Sequence, residues 1–570
     1  MNLLKELRQI EGRKVEKGIN KVFSGGQDVR PGFSYTWVRE RLPSMSKKVL
    51  EYGMDGTTVR LYRLLEETED LYHISPSEYQ VDKDTAELIL SVKGSLSEQF
   101  PRDIDLSKPF QVKKYITNHG RALLERTAEK LGITLGKTRE EEMKKIEFLS
   151  EILAKYTAGY GIIETLLEDP NVEDIYVDAP SDNNNIYVEI GGLEGIREKC
   201  RTNIFLSQKD MKSILSRFRS ESGKPFSEAF PVLETELEEY GTRVTAIGNP
   251  LSPDGMAFAL RRRDTEPWTL PKLIKVGSLT PTAAGLLSFL IDGRSTILVA
   301  GSRGAGKTTL LGALMLEFPK SQRILTIEDT RELPSREMQG LDYNIQSMLV
   351  DSSLEEGGMN ADQALRVSLR LGESSLVLGE VRGEEARTLY EAMRAGTAGS
   401  AVMGTIHGNS PDAVYERVVH DMGISQESFG ATDIIVIAGI VRPGGMQERK
   451  RTVTHISEYD DQEFDDLMNY QDGLEPTDHL KRNSEKIGSI ARDWSLTYEK
   501  AVENIELRAY IREKMVEVSE EKGDELLSPA WVARVNDKFW NLIEKHYENG
   551  SYENVKEDWT EWYEERVRYE

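Results

Sequence analysis

A single cysteine, Cys200, stands among the 570 residues. One thiol closes no intrachain disulfide and builds no cysteine-rich zinc site, so nothing requires an oxidising compartment and a cytoplasmic setting is expected. Long apolar runs are also missing. LLSFLI before Asp292 and DIIVIAGIV from Asp433 to Val441 are the longest, well short of the ~18 residues that span a bilayer. The N-terminal MNLLKELRQIEGRKVEKG is broken by charge every few residues and lacks the apolar stretch of a secretory signal. Any membrane role is therefore expected to run through a partner or a surface contact. Histidines number seven, and His73, His119, His420, His455, His479 and His546 show no ligand spacing with one another, so no structural metal is expected. Basic side chains are outnumbered, 73 to 97, which leaves a net charge of −24. Such a surface repels nucleic acid phosphates unless a local basic patch intervenes, and nucleic acid is not expected as the main ligand.

What is present is an ordinary globular composition in a chain long enough for about three or four folded units. Residues 1–115 read as an N-terminal extension of mixed pattern, in which YHISPSEY and AELILSV look like short strands. Helical spacing then runs from Thr117 to Leu167, with breaks near GITLGKT and TAGYG. Between Val172 and Arg263 come short β-rich runs, EDIYVD, NIYVEI, RTNIFL, TRVTAIG and MAFALRRR, with one helix near DMKSILSRFRS. Residues 116–268 are thus expected to be a helical lead-in and a small α/β domain. The proline-bearing EPWTLPKLIKVGSLTP reads as an extended linker. From 269 to 460 apolar strands alternate with longer helices, which predicts a mainly parallel sheet covered by helices. Residues 461–570 are charged and read as a helical C-terminal extension.

The chemistry concentrates in that third segment. Gly301-Ser302-Arg303-Gly304-Ala305-Gly306-Lys307-Thr308, with Thr309 following, fits the GxxxxGK[ST] phosphate loop, and it stands between the strand STILVA and the helix TTLLGALMLEF as that motif requires. Glycines let successive N–H groups curve round a phosphate while the helix N-terminus adds partial positive charge. Lys307 reaches the β- and γ-phosphates of ATP, and Thr308 offers a hydroxyl to Mg²⁺. Two expected strands end in acids, RILTI-Glu328 and SLVLG-Glu380, the latter with Gly379 where many nucleotide hydrolases carry Asp. One acid is expected to hold a magnesium-bound water, Glu380 being the candidate, and the other to polarise the attacking water; sequence does not divide the roles. His407 ends a further strand and is placed to sense a γ-phosphate. Arg243 and Arg261, on consecutive expected strands, are candidates to stabilise charge in phosphoryl transfer, and Arg263 would share a face with Arg261.

Four boxes in this order, GSRGAGKTT, LTIEDTRELP, SLVLGEVRG and AGTAGSAVMGTIHGNSPDAVYERV, resemble the Walker A, aspartate, Walker B and histidine boxes of the ATPase superfamily that powers type II secretion, type IV pili, archaella and type IV secretion. The archaeal branch is the nearest match, and GYGIIETLLEDPNVEDIYVD and TRVTAIGNPLSPDGMAFALRR resemble the superfamily's N-terminal domain. The resemblance covers about residues 150–460. It implies an α/β fold with a RecA-like ATPase domain behind a smaller N-terminal domain, and a homo-hexamer whose N-terminal domains close over ATP with Arg243 and Arg261 completing the site. It also implies a polytopic membrane platform protein as partner, pilin-like or secreted substrates handled indirectly, and attachment to the inner face of the membrane. The tetracysteine zinc module of many bacterial members has no counterpart here. Two other classes share the phosphate loop, a nucleotide-gated scaffold with little turnover and a nucleic acid motor; phosphate release and salt-dependent DNA binding separate them from a secretion motor.

Overall fold

A computed structural model describes residues 28–99, 108–191, 193, 195–262, 266–350, 359–372, 374–383, 385–394, 401–445, 449–460, 463–471, 473–546 and 551–569. The chain divides into two compact units, 1–265 and 266–570. Among the described residues no helix is long and apolar enough to cross a membrane.

The first unit is built on a nine-stranded sheet. From one edge its strands run Val232–Leu237, Thr242–Ile247, Ala257–Arg262, Val172–Val177, Tyr187–Ile190, Lys199–Thr202, Asp70–Ser75, Thr57–Leu64 and Ser46–Met54. All pairings are antiparallel except that of Asp70–Ser75 with Lys199–Thr202. Helices Lys83–Gln99, Pro109–Leu131, Arg139–Thr157, Ile162–Glu168 and Gln208–Ser222 contribute to one core with the sheet, in which Leu88, Leu124, Leu153, Leu166 and Phe218 meet Leu61, Val188 and Val244. AELILSV is not a strand. It lies inside Lys83–Gln99 with Leu88, Ile89 and Val92 buried at helical spacing, a period of three to four that a seven-residue apolar run cannot distinguish from a strand.

The second unit carries the parallel sheet. Its strand order is Ile345–Leu349, Ile324–Glu328, Ser375–Leu378, Val402–His407, Ile297–Gly301 and Ile434–Val441, all parallel, followed by antiparallel Lys450–Tyr459, Phe464–Tyr470 and Leu474–Pro476. Because side chains alternate along a strand, each strand feeds two cores. Ile297, Val299, Ile324, Val377, Met403, Ile434 and Val436 enter the core shared with helices Pro281–Asp292, Lys307–Met315 and the C-terminal helices. Leu298, Ala300, Leu325, Ile327, Leu376, Leu378, Val402 and Ile406 enter the other, with helices Ala361–Ser368 and Glu385–Arg394. Burial on both faces is why these strands read as continuous apolar runs. The arrangement is RecA-like.

Two expectations fail in this unit. EPWTLPKLIKVGSLTP is not an extended linker, for two of its three prolines open helices: Thr269 caps Leu270–Lys275 and Thr280 caps Pro281–Asp292, each with proline in the first turn, where a missing N–H costs nothing. Residues 461–570 begin with two strands of the sheet before turning helical. The helices Tyr498–Lys522, Pro529–His546 and Tyr552–Tyr569 then wall one face of the core with Trp531, Phe539 and fully buried Trp559. Helix Tyr498–Lys522 approaches Pro281–Asp292 so closely that a Cβ at Gly285 would stand 2.5 Å from the Ile505 carbonyl oxygen.

Candidate nucleotide site

The parallel register places the chemistry on one sheet edge. Gly301 is opposite His407 on one side and Ala438 on the other. Ile327, one residue before Glu328, is opposite Leu378, which is two residues before Glu380. These are the carboxyl ends of parallel strands, where open α/β sheets bind ligands.

The loop after Ile297–Gly301 is shaped by its glycines. A Cβ on Gly301 would stand 2.2 Å from the Ala438 carbonyl oxygen, so the adjoining strand excludes any side chain there. Gly304 (φ 77°) and Gly306 (φ 88°) occupy the left-handed region that side-chain-bearing residues disfavour. Gly306 caps helix Lys307–Met315. Ala305 N–H meets the Ser302 carbonyl at 3.3 Å, and Lys307 Nζ donates to the same carbonyl at 3.0 Å. Burial pushes the Lys307 pKa down, while the nearby carboxylates Glu380 and Glu332 act the other way. Thr308 Oγ1 donates to Glu332 Oε2 at 3.1 Å.

The two strand-end acids are placed differently. Glu328 is buried, and its Oε1 accepts the backbone N–H groups of Glu332 (2.8 Å) and Leu333 (2.7 Å), which folds the following loop back on the strand. Glu380 lies nearer the lysine's field. Its Oε1 is 3.0 Å from His407 Nε2 but is buried without an aligned hydrogen bond, and its Oε2 pairs with Arg382. Arg382 also reaches Asp329 Oδ2 at 3.1 Å and so bridges the ends of two strands. Gly379, which departs from the common Asp, has a packing reason: a Cβ there would come within 3.1 Å of Glu328 Cγ.

Among the described residues no group of three or more His, Cys, Asp or Glu is arranged to hold a metal. A magnesium ion shared with phosphate takes only one or two protein ligands, its shell completed by phosphate oxygens and water. The Thr308 hydroxyl and the unbonded Glu380 Oε1 are suitable donors.

Arg243 and Arg261 belong to the first unit and lie on adjacent exposed strand positions, directly opposite each other. Acids flank them across the sheet: Glu236 is opposite Arg243, and Asp174 is opposite Arg261. Arg262 points to the other face, donating to the Asp169 and Pro170 carbonyls. Arg263 and residues 395–400 of the histidine box lie outside the described residues.

Sequence reasoning named Lys307, Thr308, Glu328, Glu380 and His407, which the fold gathers, and passed over Asp329, Glu332 and Arg382. Those three sit within four residues of the named acids, in boxes already singled out. Arg451 was missed as well. Its Nε donates to the Gly304 carbonyl at 3.1 Å from a hairpin 147 residues downstream, a separation that leaves no local signal.

Residues 158–479 match the family described as Type II/IV secretion system protein. A putative conjugal transfer protein of Mycobacterium tuberculosis is 30% identical over 273 residues, which cover 47% of this chain and 74% of that protein. An uncharacterised protein of Methanocaldococcus jannaschii is 25% identical over 376 residues, 63% of this chain and 48% of that one. Among solved structures, the Legionella pneumophila ATPase DotB aligns at 17% identity and a TM-score of 0.39, over 64% of this chain and 92% of its own.

Proposed function

Because the chain belongs to the type II/IV secretion system protein family, a family of ATPases, we propose that it hydrolyses ATP as a homo-hexameric motor serving a membrane platform that assembles a pilus-like or archaellum-like filament or exports protein. The observation that carries this reading is the convergence of Lys307, Thr308, Glu380, His407 and Arg382 on one sheet edge beside a glycine-shaped loop.

Residues 301–309 wrap the phosphates with backbone N–H groups, and the Lys307 ammonium offsets the charge of the β- and γ-phosphates. Thr308 and, through water, Glu380 would hold a magnesium ion, which would supply charge neutralisation on the phosphate oxygens. Glu380 orients the attacking water and accepts its proton as the water oxygen bonds to the γ-phosphorus and the bond to ADP breaks. Glu328, whose Oε1 is engaged by two backbone N–H groups, shapes the loop that presents Glu332 to Thr308. His407, beside Glu380, couples that carboxylate to the γ-phosphate. Arg243 and Arg261 supply positive charge to the transferring phosphoryl group in the closed hexamer. The chain itself is placed at the inner face of the membrane through its partners.

The test is steady-state phosphate release by purified protein over a range of concentrations. Activity per chain should rise as hexamers form. ATP binding without release would make the protein a nucleotide-gated scaffold.

A further inference from the structure

The hairpin Ile434–Val441 and Lys450–Tyr459 flanks the phosphate-loop strand on the side away from Glu380, since the sheet runs from the Glu380 strand through that of His407 to the loop strand and then to the hairpin. From its second strand the partly buried Arg451 extends to the loop, and its Nε donates to the carbonyl of Gly304. That carbonyl belongs to a residue in the left-handed region. In a planar trans peptide the carbonyl and the next N–H point in opposite directions. Holding the Gly304 oxygen outward therefore directs the Ala305 N–H inward across the loop, where it meets the Ser302 carbonyl that Lys307 also contacts.

We infer that Arg451 is a positioning residue of the nucleotide site: its hydrogen bond to Gly304 holds the 304–305 peptide, and with it the turn that Ala305 N–H closes on the Ser302 carbonyl, in the shape the phosphate loop needs to bind. The inference rests on the phosphate-binding reading of residues 301–309. None of the four sequence boxes contains Arg451. Its contribution is pre-organisation, which lowers the ordering cost of binding, so it acts on nucleotide affinity more than on the chemical step. A second cation near the phosphates would also favour binding through charge alone, and the two causes differ in salt response and in what lysine can replace.

The experiment titrates ADP and ATP against full-length Arg451→Gln, Arg451→Lys and Ser278→Ala at low and high salt, with thermal melts to confirm folding. Ser278 Oγ bonds the backbone carbonyl of residue 451, so its loss loosens the strand and leaves the guanidinium alone. Arg451→Gln is expected to weaken both nucleotides about tenfold at either salt concentration, with kcat at saturation within about threefold, because one charged hydrogen bond orders the loop. Arg451→Lys should not restore affinity, and Ser278→Ala should bind within twofold of the parent. Unchanged affinity in Arg451→Gln overturns the inference. So does full rescue by lysine with loss of the effect in salt, which assigns the residue to bulk charge, or an equal defect in Ser278→Ala, which assigns it to the strand. Lys307→Ala separates the two levels: if it too binds nucleotide normally, the phosphate-loop reading itself fails.

Discussion

Arg243 and Arg261 stand directly opposite each other on neighbouring antiparallel strands, two like charges in register with an acid beyond each. Like charges in that relation repel. Ion pairs of Arg243 with Glu234 (3.8 Å) and of Arg261 with Asp174 (3.9 Å) offset the repulsion and leave both guanidinium groups exposed. Replacing either arginine by alanine should leave nucleotide affinity within about tenfold and reduce turnover by roughly 10³, the scale of an arginine finger. Phosphate release and nucleotide titration on the same preparations decide it, and turnover at the parental rate in both variants would remove the arginines from the mechanism.

Lys307→Ala takes away the charge bonded inside the loop and should bring hydrolysis to background while the melting transition persists. Glu380→Gln keeps the size of the side chain but not its basicity, so ATP should remain bound while hydrolysis slows by orders of magnitude. Nucleotide recovered from the purified variant is the readout.

Glu328→Ala is expected to act on the fold as well as on activity. It deletes a buried carboxylate that accepts two backbone N–H groups, at a cost on the order of 2 to 4 kcal/mol. Urea denaturation measures the cost, and an unchanged midpoint would show that the loop stands without it.

Lys307 sets an alkaline limit. Burial lowers its pKa below the ordinary 10.5, and its charged form is the one that attracts phosphate. As pH rises through the lowered pKa, kcat/KM should therefore fall while ordinary lysines are still charged. In the same window the unfolded chain binds more protons at this residue than the folded one, so its contribution to stability improves with pH. A profile of kcat/KM with no alkaline fall below 10.5 contradicts the burial effect.

The sequence made the parallel sheet and its acids legible because doubly buried strands are continuous apolar runs, each followed by a glycine-bearing or acidic turn at one sheet edge, as in ILVAG before Ser302 and SLVL before Gly379. Strands with polar exposed faces left weaker marks: VLETEL at 232–237 and SKKVLEYGM at 46–54 are sheet edges rich in charge. EPWTLPKLIKVGSLTP misled for a different reason, since proline breaks a helix interior but opens a helix well. Contacts such as Arg451 to Gly304 depend on topology and have no local signature.

The far end of the phosphate-loop helix is held by the last hundred residues. Arg512 pairs with fully buried Glu317, and Asn536 Nδ2 donates to the Leu316 carbonyl at 3.2 Å, just past that helix's last turn. Arg512→Met should destabilise by about 3 to 5 kcal/mol by stranding the Glu317 charge, and adding Glu317→Leu should recover most of it. A chain cut before Tyr498 would present Leu286, Phe289 and Leu314 to water on one face of its second unit and would lose the counter-charge for Glu317 at the same stroke. The last turn of the phosphate-loop helix and the terminal helices therefore share one buried core, so these helices are part of the unit rather than an appendage to it.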